Sequence, residues 1–219
     1  MSTTSRRGLF LTFEGLDGCG KTTQMRLLAQ RLRAQGETVI ETVEPGGTGI
    51  GLAIRRILLD PRNQHLSPSA EMLLYFAARA QNVDEILTPA MGRGEIVLSD
   101  RWTDSTWAYQ GFGRGLGTEV VQTLDRIACR GRRPDLTFWI DIDLETGLQR
   151  ARFRNRDQSA EETRMDDQSR TFYERVQQGY RALAEAEPDR VARVDGRGSV
   201  EEVTARIAAA YESFRSRHA

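Results

Sequence analysis

Lysine is almost missing from this chain: Lys21 is the single example, and every other cation among the 31 Lys and Arg residues is arginine. Histidine, cysteine, net charge and long apolar runs are also scarce, and each shortage closes off a class of function. His65 and His218 lie in no motif, so a Ser-His-Asp hydrolase finds no base. Cys19 and Cys129 are too few and too far apart for a metal site. Residues 1–7 lack the apolar region of a signal peptide, so the chain reads as cytoplasmic, with both cysteines as free thiols. The 31 acidic residues balance the 31 basic ones at a pI near 6.8, which leaves no global field to recruit nucleic acid or an anionic membrane. No stretch approaches the roughly 18 apolar residues of a membrane span. Any anion binding must therefore be local.

The 219 residues, 39% hydrophobic and 28% charged, suffice for one full core. Residues 8–216 read as a single domain between short tails at 1–7, expected to be flexible, and 217–219. Strand patterns at 9–14, 38–43, 95–99, 136–141 and 190–194 alternate with helical patterns at 21–35, 48–59, 67–90, 117–130, 144–154, 165–186 and 199–215. That alternation predicts an α/β fold, a five-stranded parallel sheet with helices on both faces and ligands beyond the carboxyl ends of the strands.

The first strand runs into Gly15-Leu16-Asp17-Gly18-Cys19-Gly20-Lys21-Thr22, which fits G-x-x-x-x-G-K-[ST] without mismatch and is followed by Thr23 and a helix. In that motif glycines let backbone N–H groups curl round a polyphosphate, the lysine reaches the outer phosphates and the hydroxyl meets Mg²⁺. The alternative, a plain strand-to-helix turn, leaves the choice of the only lysine unexplained. A compact, flexible ammonium suits a phosphate cradle. Met25, Leu28 and Leu32 would bury one face of the helix, whose positive end points at the anion. Cys19, close to that helix end, reads first as a small residue filling the loop; the other reading is a reactive thiol whose pKa the helix end lowers.

Further motifs fall at strand ends. Glu44-Pro45-Gly46-Gly47-Thr48 reads as a sharp turn with Thr48 capping a helix that carries Arg55 and Arg56. Tyr75 and Arg79, four apart, share a helix face, while Met72, Phe76, Ala80 and Val83 form its core stripe. The pair is suited either to stacking and bonding a base or to a surface cation–π contact. Asp100 ends an apolar strand as a Mg²⁺-holding Walker B acid would, with Arg101 beside it suited to gripping a phosphate; an internal salt bridge is the alternative. Residues 105–115 read as a helix end and loop. Arg150, Arg152, Arg154 and Arg156 form either a solvated helix face or the start of a basic lid over about 152–163.

Taken in order, Glu14-Gly15-Leu16-Asp17, Glu44-Pro45-Gly46-Gly47-Thr48, Tyr75 with Arg79, Asp100-Arg101-Trp102, Ala108-Tyr109-Gln110-Gly111 and Arg133-Pro134-Asp135-Leu136-Thr137 resemble bacterial thymidylate kinases. The resemblance covers residues 8–216 and implies a P-loop nucleoside monophosphate kinase fold with a short lid. It also implies γ-phosphoryl transfer from Mg-ATP to dTMP, and a homodimer. It puts Tyr75 against thymine, Arg79 on a base carbonyl, Thr106 at the pyrimidine edge, Tyr109 under the sugar, Asp17 at the 3′-hydroxyl and Arg55 with Arg101 on the acceptor phosphate. Gln110 joins the dTMP site and Arg150 flanks adenine. Thr22 and Asp100 serve the metal, and Lys21 with Arg101 serves catalysis. Because Gly18 follows Asp17, the catalytic arginine is expected in the lid, among Arg152, Arg154 and Arg156. The chain departs from the family at Val43, where arginine is usual, at Tyr75, where Phe is usual, and at Thr163-Arg164-Met165-Asp166, where Asp-Arg-x-Glu is common. Its lid is also long and carries acids as well as bases.

Three other readings of the residues exist, the first being a kinase of another nucleoside monophosphate. A nucleoside kinase would need a carboxylate base at the acceptor rather than two arginines for a phosphate. A P-loop switch would need only one nucleotide site.

Overall fold

The structure, a computed structural model, describes residues 7–157, 164–165 and 168–218, with the backbone alone over 151–157. Strands β1 (Leu9–Glu14), β2 (Val39–Val43), β3 (Ile96–Asp100), β4 (Leu136–Asp141) and β5 (Val191–Asp195) form one parallel sheet in the order β2-β3-β1-β4-β5. β1 is central, and every residue in it after Leu9 is buried. Leu11 and Phe13 face α1 (Lys21–Ala34) and α9 (Val200–Arg217), while Phe10 packs with residues of α3 (Pro68–Asn82) on the other side. Thr12 shares that second face and meets the Thr137 hydroxyl at 2.7 Å, so the one polar residue in the middle of the strand is satisfied. Trp139, Tyr173, Val176 and Tyr180 fill the space between β4 and α8 (Arg170–Ala186). Helices thus cover both faces, as the alternation predicts.

Phe13 pairs with Asp100 and Val43 also pairs with Asp100, so the ends of β1, β2 and β3 lie level. The chain leaves β1 toward β2 on one side and β3 toward β4 on the other, which opens a crevice at their carboxyl ends. The phosphate loop, the Glu44 turn and the Asp100-Arg101 segment all emerge there.

Three elements differ from the sequence reading. The helix expected over 67–90 ends at Asn82, widens into a π-helical turn over Val83–Leu87 and resumes as α4 (Thr88–Gly92). Pro89 has no N–H to give the preceding turn, and the wider turn accommodates the missing bond. α8 begins at Arg170 rather than 165, where Ser169 caps it by accepting from Phe172 N at 3.2 Å. The stretch read as helix end and loop is α5 (Thr103–Thr106), continued by a π-helical segment Trp107–Gly113. Tertiary contact overrides the poor helix propensity of its glycines: a Cβ on Gly113 would stand 2.7 Å from Phe172. Thr48 does cap α2 (Gly49–Leu59), accepting from Gly51 N at 2.9 Å. Helices α6 (Thr118–Cys129) and α7 (Leu144–Asp157) and a 3₁₀ turn at Pro61–Asn63 complete the described elements.

Candidate active site

The phosphate loop owes its path to Gly15, Gly18 and Gly20, at φ of 135°, 77° and 96°. A Cβ on Gly15 would approach the Ile140 carbonyl to 2.5 Å, so this corner admits only glycine. Gly20, left-handed, opens α1, whose first residues are Lys21, Thr22 and Thr23. Lys21 is buried, and Nζ donates to the carbonyls of Leu16 at 2.9 Å and Gly15 at 3.2 Å. The ammonium is thereby held inside the curl of the loop. Thr22 Oγ1 donates to Asp100 Oδ2, which brings the two expected metal residues together. Among the described residues no group of three or more His, Cys, Asp or Glu could hold a metal ion. Two hard oxygens beside a phosphate loop fit Mg²⁺, which keeps waters and takes substrate phosphates as its other ligands.

Cys19 fits the small loop residue and not the reactive thiol. It is fully buried against the core, and burial pushes its thiol up, against the smaller downward pulls of Lys21 and Arg101. Desolvation outweighs the helix end.

Arg101 occupies the left-handed region at φ 71°, a conformation of order 1–3 kcal/mol above the usual one for a non-glycine residue. Its neighbours hold it there. Arg101 N donates to Phe13 O at 3.0 Å, Ser99 Oγ donates to Arg101 O at 2.7 Å, and Trp102 N donates to Glu14 Oε1 at 2.7 Å. Its guanidinium crosses to the phosphate loop, with Nη1 donating to Gly15 O at 3.1 Å and Ser105 Oγ at 2.9 Å, and Nη2 to Asp17 Oδ1 at 2.7 Å. Tyr109 OH donates to the other Asp17 oxygen at 3.2 Å, and the guanidinium lies 5.0 Å from the Tyr109 ring centroid. Asp17, 84 residues before Arg101, thus forms one cluster with Arg101 and Tyr109.

Arg79 is buried and not on the surface, which removes the surface cation–π reading. Its guanidinium stacks 4.9 Å from Phe76 and 5.4 Å from Trp102, and Nη2 donates to Thr106 Oγ1 at 3.1 Å. Glu44 is buried beside this group. Burial pushes its carboxyl up to about 8, against the pull of Arg79. Tyr75 is half-buried one helical turn before Arg79, its hydroxyl pushed up to about 12 by burial and by Glu71. Gln110 Nε2 donates to Glu71 at 2.8 Å, and Arg55 Nη1 donates to Pro45 O at 3.0 Å. Arg150 is exposed on α7, outside this cluster, although α7 itself packs on the loop: a Cβ on Gly147 would lie 3.2 Å from Asp17 O. The side chains of Arg152, Arg154 and Arg156, and the lid residues 158–163, lie outside the described residues.

Several contributors were not assigned roles by sequence reasoning. Glu14 had a signal, a carboxylate closing an apolar strand. Glu71 had less, one helical turn before Tyr75. It accepts from Arg114 Nε at 3.1 Å and Nη2 at 3.0 Å and lies 2.7 Å from buried Arg164, while Arg164 N donates to Leu59 O at 3.2 Å. The departure around Arg164 therefore leaves an anchored residue after the lid. Tyr180, in the middle of α8, carried no signal.

A phosphate loop at the carboxyl ends of a five-stranded parallel sheet, with Asp100 and Arg101 beside it, places the chain among the P-loop nucleoside monophosphate kinases. The Thymidylate kinase family model matches residues 13–207, and on that extent the chain belongs to the thymidylate kinase family. The thymidylate kinase of Pelobacter propionicus is 50% identical over 203 residues, 92% of this chain and 93% of that protein. The one from Citrifermentans bemidjiense is 50% identical over 211 residues, 96% and 92% of the two chains. A crystal structure of thymidylate kinase from Ehrlichia chaffeensis matches with a TM-score of 0.75 at 31% identity, covering 94% of this chain and 99% of that one.

Proposed function

We propose that the protein transfers the γ-phosphoryl group of ATP to dTMP, giving dTDP, with Mg²⁺. Support comes above all from the joining of Arg101 to both Asp17 and the Gly15 carbonyl, because it sets an acceptor-side cation against the donor loop. The acceptor monoester has a second pKa near ~6 and is largely a dianion at neutral pH, so the site needs no general base. It needs in-line placement and charge compensation. In this reading the loop from Gly15 to Thr23 cradles ATP, and Lys21 offsets charge on its outer phosphates. Arg55 and Arg101 hold the acceptor phosphate. Asp17 meets the sugar 3′-hydroxyl, and Tyr109 lies under the sugar and crowds a 2′-hydroxyl. Tyr75 stacks on thymine, with Arg79, Thr106 and Gln110 toward its edge; Arg150 flanks adenine. Mg²⁺ held through Thr22 and Asp100 would neutralise charge on the transferring phosphates. A lid arginine among 152, 154 and 156 would add charge to the transition state.

The reading extends to a cytoplasmic homodimer with no nucleic-acid or membrane partner. Among the described residues no helix is long and apolar enough to cross a membrane. Apolar side chains on three helices support self-association: Ile50 and Ile57 on α2, Leu73 on α3, and Val120 with Ile127 on α6 are exposed, Ile127 to 69%. Sedimentation of wild type and of Ile127→Glu checks this, a dimer that the glutamate splits being the expected result.

A coupled ADP-release assay with Mg-ATP and dTMP, dUMP, dCMP, dGMP, UMP and thymidine tests the activity. Turnover concentrated on dTMP is expected. Turnover mainly with another monophosphate would overturn the base-site assignment, and ATP binding without turnover would favour a nucleotide switch.

A further inference from the structure

We infer that Tyr180 and Ser105, with Glu14 behind them, are positioning residues that aim the Arg101 guanidinium. They thereby set how strongly the acceptor's phosphate is held relative to its nucleoside. The inference rests on the reading of Arg101 as the phosphate clamp.

The geometry starts at the Nη1 end of the guanidinium. Nη1 donates to Gly15 O at 3.1 Å and Ser105 Oγ at 2.9 Å, and lies 3.5 Å from Tyr180 OH. Nε and Nη2 share the other edge of the plane, the one that grips an oxyanion side-on. Pinning Nη1 inward therefore presents that edge, on which Nη2 also donates to Asp17 Oδ1 at 2.7 Å.

The pin is itself fixed. Tyr180 OH donates to Glu14 Oε2 at 2.9 Å and stands 3.0 Å from Ser105 Oγ, and the Ser105 hydroxyl also donates to Glu14 Oε2. Glu14 Oε1 takes Trp102 N at 2.7 Å and Ser105 N at 3.2 Å. One carboxylate thus orders the backbone on the far side of Arg101 and both hydroxyls beneath its guanidinium. The Tyr180 ring stacks on Trp139 at a 6.0 Å centroid separation and 16°, a contact that does not involve the hydroxyl. Glu14 and Tyr180 are both buried, and neither is placed to touch acceptor or donor. Their polar bonds reach ligand through Arg101, while the Tyr180 ring, which also meets Tyr109 edge-on, is kept in Tyr180→Phe.

The test compares the affinities of dTMP and of thymidine, which lacks the phosphate, by calorimetry on full-length wild type, Tyr180→Phe, Ser105→Ala and Arg101→Gln. Tyr180→Phe keeps the stacked ring and removes only the hydroxyl. The preference for dTMP over thymidine is expected to fall roughly five- to tenfold in Tyr180→Phe and in Ser105→Ala. Thymidine affinity should stay within about twofold, with a larger loss of preference in Arg101→Gln. An unchanged preference in Arg101→Gln would overturn the clamp reading and this inference with it. A loss in Arg101→Gln alone would overturn the inference and leave the clamp standing. Parallel losses of dTMP and thymidine affinity would show a merely structural role and overturn it too. Should Tyr180→Phe fail to fold, Ser105→Ala alone decides.

Discussion

The Thr22 hydroxyl donates to the Asp100 carboxylate, joining the start of α1 to the end of β3 across the floor of the crevice. Both groups are oxygen donors of the kind Mg²⁺ prefers, and each fixes the other's orientation before any ligand arrives. Asp100→Asn keeps the shape and removes the charge. It is expected to raise the Mg²⁺ concentration for half-maximal turnover roughly tenfold and to lower kcat by about one to two orders of magnitude, with dTMP affinity nearly unchanged. Turnover titrated with Mg²⁺, alongside calorimetry of dTMP, separates the two effects; an unaltered Mg²⁺ dependence would remove Asp100 from the metal site.

The parts of this site that a reader of the sequence can see are those whose geometry is local. Gly15, Gly18 and Gly20 dictate a loop because only glycine accepts those backbone angles there, and Thr48 caps α2 because its neighbours in sequence supply the donor. The parts that stay hidden join distant segments. Nothing near Tyr180 in sequence announces that its hydroxyl reaches Glu14, 166 residues away. The ion cluster of Glu71, Arg114 and Arg164 likewise exists only after α3 and the segments carrying the two arginines have packed. Cys19 shows a local rule and the whole fold in opposition. A local rule about helix ends gave a direction that burial, a property of the whole fold, reverses.

That reversal makes a prediction about reactivity. The nucleophile in alkylation is the thiolate, and burial raises the pKa of both thiols, Cys129 to about 12. Iodoacetamide at neutral pH should leave the native protein active and both cysteines unlabelled over hours, while labelling both rapidly in guanidinium. Mass spectrometry of the native digest checks it; prompt labelling of Cys19 in the folded protein would restore the reactive-thiol reading.

Stability should fall as pH rises through the neutral range. Burial, with the nearby Asp104, pushes the Glu14 carboxyl up to about 7, and burial pushes Glu44 up to about 8, both from 4.5. Each folded-state pKa exceeds the unfolded one, so the folded state binds more protons between them. The stabilisation is complete below about pH 4.5 and is lost as pH climbs through the folded values, at up to roughly 1.4 kcal/mol per unit for each group. Above pH 7 most of the remaining slope belongs to Glu44. Thermal melts with EDTA should therefore show wild type losing Tm between pH 7 and 8.5 and Glu44→Gln losing distinctly less. Equal slopes would mean that Glu44 is already ionised in the folded protein.

The proposed catalytic arginine of the lid is open to test by turnover. Arg152, Arg154 and Arg156 follow one another along α7, which runs through Asp157. Residues four apart in a helix share a side and residues two apart do not. Arg152 and Arg156 can therefore serve one site together, whereas Arg154 would have to serve it alone. A donor that meets charge only as it develops contributes to the transition state and little to ground-state binding. Replacing the arginine that acts this way with alanine should cut kcat by about 10²–10³ while dTMP affinity shifts less than about twofold. If Arg152 and Arg156 act as a pair, the double substitution should lose little more than the worse single one, because groups acting as a unit are not additive. A sharp loss in Arg154→Ala alone would select the other side of the helix. Near-normal turnover in all three single variants would take the lid out of catalysis and leave the charge compensation to Lys21, Arg101 and the metal.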